Sequence, residues 1–145
     1  MAREPNTQIV RTLYDILNAG TLDRLGEVIG PTYTAGDGSR GPQAFGKIMA
    51  GLRTAFPDLV YTLDEVIGGG DKVAVHWTWR GTNSGPFRAL PATGKRVVNT
   101  GLAIFRVEDG KVTSALMETD RLGFLMSLGV IPYDPAYGPP PRSEP

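Results

Sequence analysis

The sequence contains no cysteine and a single histidine, His76, and these scarcities exclude several kinds of site. Without cysteine the chain can form neither disulfides nor thiolate metal sites. One histidine cannot build a multi-histidine zinc site, and the acidic residues are too scattered for a carboxylate-only metal site. A Ser-His-Asp hydrolase would have to use His76, and the sequence has no Gly-x-Ser-x-Gly motif. We therefore expect a protein that uses no metal and no cofactor.

The chain also lacks an excess of charge and any long apolar run. Its 15 basic residues balance 15 acidic ones, whereas nucleic-acid-binding proteins usually carry a basic excess. No apolar run reaches the ~18 residues that a membrane span requires, and the amino terminus has no signal-peptide core. We expect a cytoplasmic protein that binds neither nucleic acid nor membranes. A length of 145 residues fits one domain with a substantial core.

The first third of the chain is predicted to be helical. Apolar residues recur at helical spacing in three segments, residues 7–18, 22–29 and 42–55. Asn6 or Thr7 is the predicted cap of the first helix, and Thr21 is the predicted cap of the second. Tyr33 lies on a short extended piece before the third helix.

The remainder is predicted to be an antiparallel sheet. Four extended segments are expected, at residues 59–67, 72–81, 96–107 and 112–120. Glycine-rich turns at 68–71 and 108–111 form the two hairpins. Alternation along the second strand places one set of side chains on a single face: Val73, Val75, Trp77 and Trp79. His76 belongs to the opposite face, which we expect to be the outer side of the sheet.

Helices followed by a meander of strands indicate an α+β fold. We expect the sheet to curve around the helices into a cone with an interior pocket, a common place for a small apolar ligand. The domain is predicted to span residues 1–130. Residues 131–145 form a tail rich in proline and glycine, whose end at 138–145 is predicted to be disordered.

The last predicted strand ends in two carboxylates, Glu118 and Asp120, just before a short apolar helix. Alternation predicts that both side chains point to the same face. A carboxylate beside apolar residues can be partly desolvated and used as an acid or base. Aspartate is also a favoured helix cap, and on position alone the cap is the more frequent role for Asp120.

Several motifs along the chain resemble those of the SnoaL-like polyketide cyclases. They include Leu-Asn-Ala-Gly, Ala-Phe-Pro-Asp-Leu, Gly-Asp-Lys-Val-Ala-Val-x-Trp, Leu-Pro-Ala-Thr-Gly-Lys and Ile-Phe-Arg-Val-Glu-Asp-Gly-Lys, and the resemblance runs from about residue 6 to 128. These cyclases share the cone fold of nuclear-transport-factor-2-like proteins. The resemblance implies a homodimer that closes a ring in a polyketide ester by intramolecular aldol chemistry, without a cofactor, in antibiotic biosynthesis.

The resemblance also implies a site. In cyclase members an aspartate at the end of the last strand is the general acid/base, and Asp120 matches it, followed by Arg121-Leu-Gly. Aromatic walls suit flat polycyclic ligands, an asparagine can stabilise an oxyanion, and a second carboxylate can act on the first. The substrate-binding residues that we predict are Tyr33, Trp77, Phe87, Asn99, Phe105 and Glu118.

The chain departs from the family at positions where relatives often carry histidine. Here they are Asn83, Ala103 and Ala115. Two alternatives therefore stay open beside the cyclase hypothesis. One is a small-molecule binding or accessory protein without catalysis. The other is a different reaction in the same pocket, such as epoxide hydrolysis or an assisted hydroxylation.

Overall fold

The structure of the protein is a computed structural model that describes residues 3–137. In it, three α-helices pack against one antiparallel sheet. The elements in chain order are α1 (Arg3–Ala19), a 3-10 helix (Leu22–Glu27), α2 (Pro42–Ala55), β1 (Val60–Gly69), β2 (Lys72–Thr82), β3 (Arg96–Glu108), β4 (Lys111–Thr119), α3 (Arg121–Ser127) and a 3-10 turn (Pro135–Tyr137). The disorder predicted for residues 138–145 concerns a segment outside the described residues.

The four strands pair in the order β1-β2-β3-β4, so that each strand is antiparallel to the next. The β3–β4 turn is Asp109-Gly110, with φ of 51° and 75°, as the Asp-Gly signal for a tight hairpin predicts. The β1–β2 turn is shorter than predicted, because β1 continues through Gly69 and only Gly70 and Asp71 lie between the strands. The predicted meander is confirmed.

The inner face of the sheet forms the core together with the helices. The alternation predicted for β2 is confirmed, because Val73, Val75, Trp77 and Trp79 are at most 3% exposed. Helix α1 packs on this face through Tyr14. The Tyr14 ring meets Tyr61 of β1 at 5.1 Å and Phe105 of β3 at 6.1 Å, both edge to face. This packing buries the apolar side of α1 against the middle of the sheet.

The start of α1 differs from the prediction. The helix begins at Arg3, so that Asn6 and Thr7 lie within it and neither is its cap. Asn6 instead donates a hydrogen bond from its side-chain amide to the Gly70 carbonyl oxygen, at 3.1 Å. The contact ties α1 to the β1–β2 hairpin, which lies 64 residues further along the chain.

The second predicted helix is also different. Thr21 makes no capping hydrogen bond, and the segment after it is a 3-10 helix that ends at Glu27 instead of Ile29. The chain leaves the helix because the next residues pair with β4. Val112 donates its N–H to the Val28 carbonyl oxygen at 2.7 Å, and its own carbonyl oxygen accepts from Gly30 at 2.9 Å. A tertiary contact thus overrides the local helical pattern.

None of the helices within residues 3–137 has both the length and the apolar character needed to cross a membrane. The cytoplasmic location expected from the sequence stays a prediction.

Candidate functional site

Asp120 occupies the junction between the end of the sheet and the last helix. Its backbone N–H donates to the Thr100 carbonyl oxygen at 3.0 Å, which fixes the residue beside β3. Its carboxylate Oδ1 accepts a hydrogen bond from the Gly123 N–H at 2.9 Å, so that Asp120 is the N-cap of α3. The residue is exposed, and within the described part of the chain Oδ2 accepts no hydrogen bond. The capping role is therefore confirmed, and it leaves one carboxylate oxygen unengaged.

Gly123 makes this arrangement possible. A Cβ atom at this position would overlap Oδ2 of Asp120 and lie 3.0 Å from Oδ1. Real Cβ atoms do not approach other heavy atoms this closely, so that any side chain at position 123 would displace the carboxylate. The glycine that follows Arg121-Leu122 thus allows the carboxylate to lie directly over the first turn of the helix.

Trp77 lies on the inner face of β2, opposite Gly101 of β3. Its indole crosses the position that a side chain at 101 would occupy, since an added Cβ there would lie 2.5 Å from Cζ2. On its other side the ring meets Tyr61 edge to face at 5.4 Å. The indole is therefore held from both sides. Its Nε1 is buried and has no hydrogen-bond partner among the described residues.

Asn99 is the second buried polar group on this face. It pairs with Trp79, and it lies two residues before Gly101 on β3, so that Trp77 and Asn99 are diagonal neighbours. Such neighbours are about 7–8 Å apart. Asn99 is 7% exposed, and its Oδ1 also lacks a hydrogen-bond partner within residues 3–137. A buried polar group left unpaired costs about 1–3 kcal/mol, so that two adjacent ones require an explanation.

Phe87 is the outermost ring of an aromatic stack that closes this end of the fold. The stack runs inward from Phe87 to Phe124 of α3 at 5.4 Å, and from Phe124 to Trp79 at 5.9 Å. Phe56 completes it, 4.8 Å from Trp79. Phe87 itself is half-buried. The stack connects the helix that Asp120 caps with the strand pair that carries Asn99.

Asn83 organises the loop that presents Phe87. It is 1% exposed, and its amide nitrogen donates to the carbonyl oxygens of Gly85 at 2.9 Å and Ala55 at 3.4 Å. Its Oδ1 accepts from the N–H and the hydroxyl of Thr93 at 2.8 and 2.9 Å. Asn83 therefore joins the two ends of the loop to α2, and its hydrogen-bonding groups are fully used.

The other predicted substrate-binding residues lie apart from this group. Phe105 is fully buried, five residues along β3 from Thr100, which corresponds to about 17 Å. Tyr33 packs edge to face on Phe45 of α2 at 5.7 Å, and burial, aided by the charge of Asp37, raises the pKa of its hydroxyl. The structure does not bring these two residues to Asp120, and their roles stay predictions.

Glu118 lies on the outer face of the sheet. It pairs with Leu102, which is 57% exposed, and Glu118 is itself exposed. The expectation that Glu118 and Asp120 point to the same pocket fails, because β4 ends at Thr119 and the Asp120 carboxylate turns onto α3. The sheet backbone separates Glu118 from Trp77 and Asn99.

His76 faces the outer side of the sheet, as predicted. Its Nε2 lies 3.1 Å from the Thr100 hydroxyl, which donates to the Trp77 carbonyl oxygen at 2.9 Å. Its Nδ1 is 3.9 Å from Asp64, whose carboxylate accepts from the Thr78 hydroxyl at 2.6 Å. The histidine therefore belongs to a polar row across the outer face, and it does not contact the Asp120 carboxylate.

Two surface depressions in the described structure contain none of the predicted site residues. One, of about 420 Å³, lies at the hairpin end and is lined by Asn6, Gly70, Asp71, Val107, Glu108 and Asp109. The other, of about 210 Å³, lies between the 3-10 helix and α2. Neither depression is the interior pocket expected from the sequence, since both lie away from Asp120. Near the helix that Asp120 caps, the rings of the aromatic stack pack against one another. Within residues 3–137 no three histidine, aspartate or glutamate side chains are grouped for a metal ion.

A profile of the SnoaL-like polyketide cyclases matches residues 7–128, which is most of the chain. The chain belongs to the SnoaL-like polyketide cyclase family. The chain is 29% identical over 152 residues to DauD of Streptomyces sp. (strain C5), an aklanonic acid methyl ester cyclase, and this match covers 95% of the chain and 92% of DauD.

Solved structures agree with this family and with the predicted α+β fold. TsrD from Streptomyces laurentii superposes on the protein with a TM-score of 0.82 and 27% identity. The match covers 89% of this chain and 98% of TsrD. AclR from Streptomyces galilaeus, described as a candidate hydroxylase, superposes with a TM-score of 0.79 and 25% identity. That match covers 91% of the chain and 85% of AclR. Helices packed on a four-stranded antiparallel sheet are thus the shared architecture.

Proposed function

We propose that this protein is a cofactor-independent cyclase that closes a ring in a polyketide ester by an intramolecular aldol-type reaction. Asp120 is the general acid/base of this reaction. The observation that carries the proposal is the state of the Asp120 carboxylate, which has one oxygen held by Gly123 and the other free of hydrogen bonds among the described residues. Membership of the polyketide cyclase family and the similarity to an ester cyclase support the choice of substrate class.

The proposed chemistry needs only one proton carrier. The Asp120 carboxylate removes a proton from a carbon that lies between two carbonyl groups, and the resulting enolate carbon attacks a ketone in the same molecule. The new carbon–carbon bond leaves an alkoxide, which takes the proton back from Asp120. Substrate and product are therefore isomers. The hydrogen bond from Gly123 orients Oδ1, so that Oδ2 is the oxygen that carries the proton.

Aromatic residues beside Asp120 would supply the binding surface for a flat substrate. Phe87 is only half-buried, and it covers Phe124 and, through it, Trp79. A planar polyketide that replaces or stacks on the Phe87 ring would gain the same edge and face contacts. Closure of this end of the cone around the substrate would also keep water away from the enolate.

We further propose that the protein forms a homodimer through the outer face of the sheet. Four large apolar residues are exposed there on neighbouring strands, between 42% and 59% of their surface: Ile67, Leu102, Ile104 and Leu116. Soluble monomers rarely leave a contiguous apolar patch uncovered. A second copy would bring an identical patch, which suits a two-fold symmetric interface.

Two further functions remain as competing hypotheses. The similarity to AclR favours an oxygen-inserting reaction on the same scaffold. Ala103 and Ala115, at positions where relatives often carry histidine, favour a binding protein that has lost the chemistry.

The experiment that tests the proposal follows the fate of a polyketide methyl ester with a free ketone, added to the purified protein with a chelator. A cyclase converts it to a ring-closed product of unchanged mass, and no isotope enters from labelled water or labelled O₂. Incorporation of ¹⁸O into the product from either source would contradict the cyclase proposal and support the oxygen-inserting reaction. Binding of the ester without any product would favour the binding protein.

A further inference from the structure

The outer face of the sheet carries two adjacent rows of side chains that differ in character. An apolar row crosses the four strands through cross-strand pairs and consists of Ile67, Ala74, Ile104 and Leu116. A polar row lies two residues further along each strand, on the same face, and consists of Glu65, His76, Leu102 and Glu118. The apolar row offers a surface for a partner to cover, and the polar row supplies charges that can select this partner.

His76 is held in the polar row by hydrogen bonds that fix where its protons lie. The Thr100 hydroxyl has a single hydrogen, which it donates to the Trp77 carbonyl oxygen at 2.9 Å. The His76 Nε2, 3.1 Å from the same hydroxyl, must therefore be the donor in that contact. Nδ1 lies 3.9 Å from an Asp64 carboxylate oxygen. A second proton on the ring thus goes to Nδ1, beside a negative charge.

The charges around His76 are mainly negative. Besides Asp64, Glu65 is its cross-strand neighbour on β1. Glu118 lies two strands away on β4, about 10 Å across the sheet, with Leu102 between them. Within residues 3–137 the Glu118 carboxylate has no ion-pair partner. The other basic residues on this face are four residues away along the strands, about 13 Å, and they are Lys72, Arg80 and Arg106.

A two-fold axis along β3 would make both rows complementary to themselves. Two sheets that pack face to face in this way place β3 over β3 and β2 over the second copy's β4. In the polar row, His76 then lies opposite the partner's Glu118. In the apolar row, the small Ala74 lies opposite the partner's Leu116, which is 59% exposed. Charge and size match about the same axis, which favours a second copy of this chain over an unrelated partner.

We propose that a second copy binds the outer face with its axis along β3, and that His76 of each copy pairs with the partner's Glu118. The inference rests on the proposed homodimer and is independent of the cyclase chemistry. Histidine gains its second proton near pH 6.5. The pair is therefore ionic below this pH and is lost as the pH rises through neutrality, so that mild acid favours the dimer.

The dissociation constant of the dimer between pH 8 and pH 6 tests the proton linkage. Two charge pairs form in each dimer, and we expect sedimentation equilibrium to show dissociation that is about three- to thirtyfold weaker at pH 6. His76→Gln should remove most of this pH dependence. Glutamine keeps an N–H that can donate to Thr100, but it cannot take up a proton.

Mixing two variants tests the pairing itself. His76→Glu places two carboxylates opposite each other in its own homodimer, and Glu118→Lys places a cation opposite His76 in its own. The mixed dimer restores both opposite-charge pairs. With one variant ¹⁵N-labelled, native mass spectrometry should therefore find the mixed dimer well above the half expected for random association.

Glu65→Lys mixed with His76→Glu is the matched control. Glu65 is in the same row, but on the side of His76 away from the axis, so that this mixture should give about half mixed dimer. Circular dichroism checks that each variant is folded. A dimer whose dissociation constant does not change with pH, or a mixed dimer at the random fraction in both mixtures, would overturn the inference and leave the proposed dimer standing. A wild type that is monomeric at both pH values would overturn both, while turnover of a polyketide ester would still support the cyclase.

Discussion

Replacement of Gly101 by alanine is expected to destabilise the protein, although it adds only one methyl group. The added Cβ would lie 2.5 Å from Cζ2 and 2.8 Å from Cη2 of Trp77, and 2.8 Å from the Glu118 carbonyl oxygen. The indole cannot move away because Tyr61 lies against its other side, and the Glu118 backbone is held by strand pairing. Overpacking of this kind costs about 1–3 kcal/mol of the free energy of unfolding.

Thermal and urea unfolding measure this cost directly. For a domain of this size, 1 kcal/mol corresponds to about 2–4 °C, so that we expect the melting temperature of Gly101→Ala to fall by about 2–12 °C. Gly69→Ala is the matched control, because a Cβ there meets no atom within 4 Å and the residue is exposed. The same melting temperature for both variants would refute the reasoning about Trp77.

Three further predictions concern the loop, acid stability and assembly. Asn83→Ala should lower the free energy of urea unfolding by about 1–3 kcal/mol, because it leaves buried loop groups unpaired; an unchanged midpoint would contradict this. Burial acts to raise the pKa of Asp58, but hydrogen bonds from the Thr82 N–H and hydroxyl outweigh it and hold that pKa below its usual value. The stabilisation by Asp58 is therefore present above the unfolded-state pKa and is lost as the pH falls below about 4. The free energy of urea unfolding should thus change less between pH 6 and pH 3 in Asp58→Asn than in wild type. An equal change in both proteins would argue against this role of Asp58. Leu116→Lys should convert the proposed dimer to a monomer in light scattering, whereas Ile48→Lys on α2 should not, and a monomeric wild type would exclude the dimer.

Short-range sequence signals predicted much of the fold. Helix α2 has the predicted bounds, since Pro42 can begin a helix and the chain ahead of Pro57 must leave it. The Asp109-Gly110 turn and the alternation along β2 followed in the same way from local chemistry. Each of these features depends on residues within a few positions of one another, which is the information that a single sequence holds most clearly.

Features that depend on pairing between distant segments could not be predicted. The close contact of Trp77 with Gly101 requires the β2–β3 register, which joins residues 24 positions apart. Glu118 was assigned to the Asp120 side because the alternation was extended one residue past the true end of β4. The second helix ends at Glu27 instead of Ile29 because the hydrogen bond from Val112 to Val28 draws the chain out of it.

The candidate site was predicted in part. The position of Asp120 at the strand-to-helix junction was recognised, and so was its ability to cap the helix. The unpaired state of the Trp77 and Asn99 atoms is a property of the packed interior, which the alternation pattern does not contain. A glycine opposite a tryptophan on neighbouring strands is the signal that would have pointed to the fixed indole, once the register was known.

The turnover number of Asp120→Asn on a polyketide methyl ester is the most direct test of the central claim. Asparagine caps helices about as well as aspartate, so that α3 and the melting temperature should be retained, whereas Asp120→Ala should lose about 0.5–2 kcal/mol of stability. An amide cannot carry the proton, and we predict that kcat falls by about 10²- to 10⁴-fold in the asparagine variant. Turnover at the wild-type rate by a folded Asp120→Asn protein would contradict the account and reduce Asp120 to a helix cap.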